Sequence, residues 1–286
     1  ACLVGSEMCI RDRVRAVDIK ISIIMGVFNP VHGEWLQAAV QSLIDQTLTE
    51  WELILCDDGS DEKYVERIQS CQKMDARIRL IRNKKNQGLA YSLNQCLKYV
   101  RGKYVARMDD DDISKPDRLK LQYEWLESHP EYAWAGTWTE MFDEHGVWEL
   151  KKYSEYPKAR DYLFNSPYIH PSVMFRRDVL QHAGGYLVTK MTRRREDYEL
   201  FMRLESLGYK GYNIPKLLFC YRETAESYRK RKFRYRIDEI QVRYIGFQRM
   251  GILNITTFPY VVKPLIVGMI PPSIHRVIKR RIRHVT

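Results

Sequence analysis

No C-x-x-C pair occurs in these 286 residues, although there are six cysteines. They lie apart, several inside apolar periodic stretches such as "ELILC" and "LNQCL". That distribution argues against a zinc ribbon or a disulfide framework and fits buried thiols in a reducing cytosol. Neither G-x-G-x-x-G nor G-x-x-x-x-G-K-S/T is present, so the dinucleotide-binding and P-loop ways of cradling phosphates are both missing. A bilayer-spanning helix takes ~20 largely uninterrupted apolar residues, and the best candidate, residues 256–274, is broken by Lys263 and four prolines. Internal repeats and low-complexity tracts are absent too. The opening "ACLVGSEMCIRDR" lacks the apolar core of a secretory signal and resembles translated sequencing-adaptor read-through. Residues 1–18 are therefore expected to be a non-native or disordered leader.

What is present suffices for a packed core: 45% hydrophobic and 12% aromatic residues, well above the composition of a disordered chain. Lys and Arg number 47 against 36 Asp and Glu, a formal charge of +11. Much of the excess sits in "SYRKRKFRYR" (227–236) and "IKRRIRH" (278–284). A basic end of this kind suits an anionic partner, nucleic acid or membrane surface.

Along the chain, "IKISIIMGVFN" reads as a buried strand, and "EWLQAAVQSLIDQT" as a helix with Leu36, Val40, Leu43 and Thr47 on one face. "WELILCDDGSD" is a strand running into a turn, residues 63–74 are helical, and "RIRLIRN" is a strand. "LAYSLNQCLKYVRG" is a helix closed by Gly102, "KYVARM" is a strand, and Pro116 opens an amphipathic helix. Strands alternating with helices through short connections predict a doubly wound α/β sheet, in which ligands bind beyond the carboxyl ends of the strands. "FNP", "DDGSD" and "DDDD" all fall at such ends. From about residue 131 the pattern changes to aromatic strands and longer loops. It closes on a helix carrying Leu200, Leu204 and Leu207 with Gly208 as its cap, and beyond 226 the alternation stops. Trp134 and Trp138 alternate on a strand and read as core.

Asp109, Asp110, Asp111 and Asp112 form a run of adjacent carboxylates. A charge run is commonly a solvated turn; a divalent cation is the sharper alternative. A calcium loop of EF-hand type fails, because positions six and twelve counted from Asp109 are Ser114 and Lys120 rather than Gly and Glu. Magnesium or manganese held by one or two carboxylates, with substrate phosphates completing the shell, fits the residues better.

The ordered series "ISIIMGVFN", "QSLIDQTLTEWELILCDDGSD", "NQGLAYSLN", "GKYVARMDDDDISKPDRL", "IHPSVMFRR" and "REDYELFMRL" resembles the family 2 glycosyltransferases of GT-A fold. It is most similar to the bacterial branch that builds exopolysaccharide and O-antigen units. The resemblance spans residues 19 to 222 and implies an α/β fold, a mixed and mostly parallel central sheet flanked by helices. A GT-A domain is thus expected over 19–226, with a basic helical extension over 227–286. It also implies an inverting enzyme that takes a sugar from a nucleoside-diphosphate donor, UDP first among the carriers, with Mn2+ or Mg2+ as cofactor. By that resemblance Phe28 and Asp58 lie against the nucleotide base. Asp109 sits near ribose and metal, Asp111 coordinates the ion, Asp112 belongs to the turn, and Asp197 is the base.

The residue types suit the chemistry. A leaving diphosphate needs charge stabilisation, which a Lewis-acid metal supplies, and the attacking hydroxyl needs a carboxylate to take its proton. Departures from the family are Gly26 and Phe28 where Pro and Tyr are common, and Asp110 where Ala is usual. No histidine occurs in "CYRETAESYR", where many members carry a further metal ligand. His170 and Glu196 are secondary candidates on the acceptor side, whereas Asn86 and Gly88 read as shaping a helix start.

The expected acceptor is a glycan or a polyprenyl-diphosphate-linked sugar. The apolar 256–274 stretch between basic clusters would rest on the inner face of an anionic plasma membrane, or else pack on the catalytic core or form an oligomer contact. That places the protein in the cytoplasm, peripheral to the membrane, with no nucleic-acid partner. Three rivals are a sugar-nucleotidyltransferase, a nucleic-acid binder using the basic end, and an inactive binding module of the same fold. The first needs a glycine-rich basic loop after strand one, and "VFNPVHGEW" is not one.

Overall fold

The computed structural model describes residues 18–223 and 234–269. The expected leader up to residue 17, part of the 227–236 cluster and the whole 278–284 cluster lie outside the described residues. The chain begins β1 (Ile21–Val27), α1 (Gly33–Ile44), β2 (Trp51–Asp57), α2 (Glu62–Gln72), β3 (Ile78–Arg82), α3 (Leu89–Leu97) and β4 (Tyr104–Arg107). These four strands lie side by side and parallel in the order β3-β2-β1-β4. β1 and β2 are buried along almost their whole length, as strands covered on both faces must be. Ile21, Ile23 and Met25 face one core with α1 side chains such as Leu36 and Val40, and Ile24 faces the other with Leu93 of α3.

Past β4 the elements are β5 (Ile113–Ser114), α4 (Arg118–Ser128), β6 (Trp134–Asp143), β7 (Gly146–Lys151), β8 (Met174–Arg176), α5 (Arg177–His182), α6 (Glu196–Ser206) and β9 (Gly211–Arg222). They extend the sheet as β4-β8-β6-β9-β5, with β7 beside β6. β8 runs antiparallel to both its neighbours, and β6 and β9 are parallel. Pro215 lies in β9, where the register skips from Thr137↔Ile214 to Trp138↔Leu217; a bulge is where a strand tolerates a residue without an N–H. Two further helices, α7 (Arg234–Arg249) and α8 (Phe258–Met269), follow. Val242 and Phe247 of α7 share the second core with Leu200 and Leu204 of α6, so α7 packs on the core.

The mostly parallel α/β sheet is as expected, and so is the Gly208 cap, whose φ of 86° is in the left-handed region. Four described cysteines are buried free thiols, also as expected. Local expectations need correcting. α1 stops at Ile44, leaving Thr47 exposed beyond it. α3 stops at Leu97 rather than running to Gly102. Gly102 serves a different need: a Cβ there would lie 2.6 Å from the Ser22 amide nitrogen. Its own N–H donates to the Ser22 hydroxyl at 2.9 Å. Trp134 is core, whereas Trp138 is half-buried with its indole N–H donating to the Tyr153 carbonyl.

Candidate active site

Because β1, β2 and β4 are parallel neighbours, their carboxyl ends bring the "FNP", "DDGSD" and "DDDD" turns to one edge. The first two are clasped: the Asn29 amide donates to the Ser60 hydroxyl at 2.9 Å, and the Asp61 amide donates to the Asn29 side chain at 2.9 Å. Asn29 takes a left-handed φ of 47° there, a conformation that Asn tolerates better than most residues. Phe28 beside it is about half exposed.

Asp58 is buried, and both its oxygens are engaged. They accept the Asn83 side-chain amide at 2.8 Å, the Gln87 backbone amide at 3.0 Å and the Gly88 backbone amide at 2.7 Å. It thereby fixes the loop that starts α3, and Gln87 and Gly88 of that loop face the main cavity.

β4 delivers the acidic run. Arg107, its last residue, is wholly buried and ion-paired to Asp109; its Nε and Nη1 have no hydrogen-bond partner among the described residues. Asp112 is turned inward and accepts the Arg222 amide of β9 at 2.7 Å. Burial, with Asp111 and Asp109 near, holds its carboxyl well above the usual range. Arg222 also donates from Nε to the Asp111 carbonyl at 2.8 Å, its guanidinium lying over the Trp35 and Phe142 rings. Arg118, buried at the start of α4, donates to the Arg107 carbonyl at 2.7 Å. Burial and the neighbouring Arg107 bring Arg118 down to about 9, so it stays charged at neutral pH. Asp110 is pushed up to about 8 by desolvation and by Asp111 and Asp109.

A cavity of about 1300 Å³ opens beside this turn, lined by Gly88, Asp109, His170, Glu196, Asp197 and Glu223 among others. Glu196 and Asp197 are the first two residues of α6, where free N–H groups favour negative charge. Burial nevertheless raises both. Glu196 reaches about 7 with Asp197 contributing, and Asp197 is raised against the opposing pull of Arg195. His170 is bonded to the Tyr186 hydroxyl at 2.9 Å, and burial drops it well below its ordinary range, so it is neutral at pH 7. The lining also carries basic residues, Arg193, Arg194, Arg195, Arg243 and Lys263.

Of the residues singled out from sequence, Asp109 and Asp197 therefore line one cavity, while Phe28, Asp58 and Asp111 stand at its edge of the sheet but outside the lining. Among the described residues no three His, Cys, Asp or Glu side chains form a ready-made chelate. The donor set still suits a divalent cation: Asp109 and Asp111 offer hard oxygens, and the mutual repulsion evident at Asp110 is what such an ion relieves. Sequence reasoning missed Arg107, Arg118, Glu223 and the basic wall. A charge inside the apolar run "YVARM" was the available signal for Arg107.

The chain matches the profile of "Glycosyl transferase family 2" over residues 22–184. It is 36% identical to EpsE of Bacillus subtilis, across 92% of this chain and 94% of that protein. A second relative, 25% identical across 92% and 96% of the two chains, is the UDP-Gal:alpha-D-GlcNAc-diphosphoundecaprenol beta-1,3-galactosyltransferase of Escherichia coli. Among solved structures, S. aureus TarS residues 1–349 with UDP-GlcNAc superposes with a TM-score of 0.66 at 15% identity, covering 87% of this chain and 72% of that one.

Proposed function

The chain belongs to glycosyl transferase family 2, and on that premise we propose that it moves a sugar with inversion from a nucleoside-diphosphate donor to a lipid-linked or glycan acceptor in surface-polysaccharide synthesis. One observation carries the reading. Asp109 of the acidic turn and Asp197 of α6, distant in sequence, line the same cavity. UDP is the proposed carrier, and the galactosyltransferase relative, whose name contains a UDP-sugar and a polyprenyl diphosphate, supports both ends of the assignment.

Asp109 and Asp111 would hold the divalent cation, Mn2+ or Mg2+, which when bound stabilises the charge developing on the leaving diphosphate. Asp58 positions Gln87 and Gly88 on the cavity wall, and Phe28 offers a half-exposed ring at the same sheet edge for the base. Asp197 accepts the proton of the acceptor hydroxyl as its oxygen bonds to the anomeric carbon. The bond from that carbon to the diphosphate oxygen breaks on the opposite side. The raised basicity of Asp197 strengthens it for that step. Asp197→Asn should lower kcat by ~10²–10⁴-fold while leaving UDP affinity within about twofold. Transfer from radiolabelled UDP-sugars to lipid extract measures the first and calorimetry the second. Unchanged turnover in the variant would remove Asp197 from this role.

A further inference from the structure

Two residues ahead of Asp197, Arg195 caps the N-terminus of α6. Its N–H donates to the Thr192 carbonyl at 2.8 Å, and its carbonyl accepts the Glu199 amide at 3.0 Å. The Arg195 side chain therefore starts from the same fixed turn as Asp197. A guanidinium paired with a carboxylate occupies its lone pairs and lowers the basicity that proton abstraction needs. Among the described residues, however, Arg195 pairs with Glu239 of α7, through Nη2 at 2.5 Å, and not with Asp197. Its Nε is buried with no hydrogen-bond partner among the described residues, so one nitrogen carries the hold.

α7 is a firm mount for that hold. Glu239 is buried and also meets Arg243 at 2.9 Å and Arg236 at 3.5 Å. Arg243 in turn donates to the Leu163 and Phe164 carbonyls at 2.9 and 3.1 Å, and lies over the ring of Tyr198, the neighbour of Asp197. Further along, α7 touches α6 at Gly246, where a Cβ would lie 2.4 Å from the Met202 sulfur. Burial works against charge on Glu239, but Arg195 and Arg243 outweigh it and hold the carboxyl below its usual range. Glu239 is thus ionised at neutral pH.

We propose that Glu239 is a positioning residue for Asp197: by fixing the Arg195 guanidinium on α7, it keeps that charge from pairing with the base and leaves the Asp197 carboxylate free to accept a proton. The proposal rests on the reading of Asp197 as the base and adds a helix to the machinery that reading describes. The titratable groups facing Asp197 are Asp109 after β4, Tyr153 after β7, Tyr186 after α5, and Glu196 and Tyr198 on α6. Against these acids, Arg195 is the cation that acts on Asp197, and Glu239 governs where it points.

Carboxyl-carbon NMR of the aspartate-labelled full chain tests this without turnover, the Asp197 resonance being the one that Asp197→Asn removes. Glu239→Gln frees Arg195 to pair with Asp197, so the titration midpoint of Asp197 should fall by about one pH unit. Arg195→Gln removes the cation, and the midpoint should rise instead. The two changes together should give the Arg195→Gln result, because Glu239 acts through Arg195. A residue that only supported the fold would lower stability and leave the midpoint where it was. Glu239→Gln with Arg236→Gln, which removes one charge of each sign, repeats the measurement if the single variant unfolds. An unmoved midpoint in a folded Glu239 variant overturns the proposal. So does a Glu239→Gln, Arg195→Gln chain whose midpoint stays as low as that of Glu239→Gln alone. Turnover separates this inference from the reading beneath it: the acid limb of kcat should follow the midpoint in each variant, with UDP affinity unchanged. Midpoints that move as stated while the limb stays fixed support the positioning and remove Asp197 from the role of base.

Discussion

Four identical residues in a row have different fates at the end of β4. Asp109 pairs with buried Arg107, Asp112 turns inward onto the Arg222 amide, and Asp110 is held up to about 8 by desolvation and by its acidic neighbours. Their residue type and position after a strand were legible in the sequence, because parallel strands send consecutive turns to one edge. What was not legible is which oxygens are already engaged, as at Asp58, where three donors from a loop some 25–30 residues on converge. Such partners are set by tertiary packing rather than by spacing. Glu196 offers a test at this scale. Its folded-state value of about 7 stands above the ordinary 4.5, so the folded protein holds that proton more tightly than the unfolded chain. Its contribution is therefore favourable below about pH 4.5 and is lost as the pH rises through about 7. Glu196→Gln should stabilise the protein at pH 8 by an amount on the order of 1–3 kcal/mol, and by close to nothing at pH 4.5. Urea titrations at the two pH values measure it, and equal stability of variant and wild type at pH 8 would contradict the shift.

At the scale of elements, the periodicity of β1, α1, β2, α2 and β3 located the structure well, since burial on both sheet faces leaves long apolar runs. Helix ends were less visible. The apolar spacing of "LAYSLNQCLKYV" continues past Leu97, yet α3 ends there and the chain turns to enter β4. Gly102 looked like a helix cap because glycine has two uses that sequence does not separate: a left-handed φ and a close backbone approach. Here it is the second. Gly102→Ala should therefore cost ~1–3 kcal/mol through overpacking against Ile21 and Ser22, read as a lower urea midpoint with an unchanged slope. A neutral substitution would show that the two backbones separate readily.

For the whole molecule, the +11 charge suggested an anionic partner without saying which or where. In the fold, part of that excess becomes the wall of a cavity, because α7 packs its apolar side into the second core and presents Arg236, Glu239 and Arg243 to the opening. The apolar stretch beginning at residue 256 proves, over its described part, to be α8, with Lys263 on that wall. Among the described residues no helix is long and apolar enough to cross a membrane. Asp109 of the acidic turn and these arginines thus line one large cavity.

The most direct test of donor binding at the acidic turn is thermal stabilisation by UDP, GDP and dTDP, each with and without manganese, on wild type and Asp111→Ala. A nucleotide at a hundredfold its dissociation constant adds ~2.7 kcal/mol of stability, raising Tm by several degrees for a chain of this size. The account predicts a manganese-dependent rise with UDP that Asp111→Ala removes while the unliganded variant melts cooperatively. A folded wild type that ignores all three nucleotides, or an Asp111→Ala variant that responds like wild type, would contradict it.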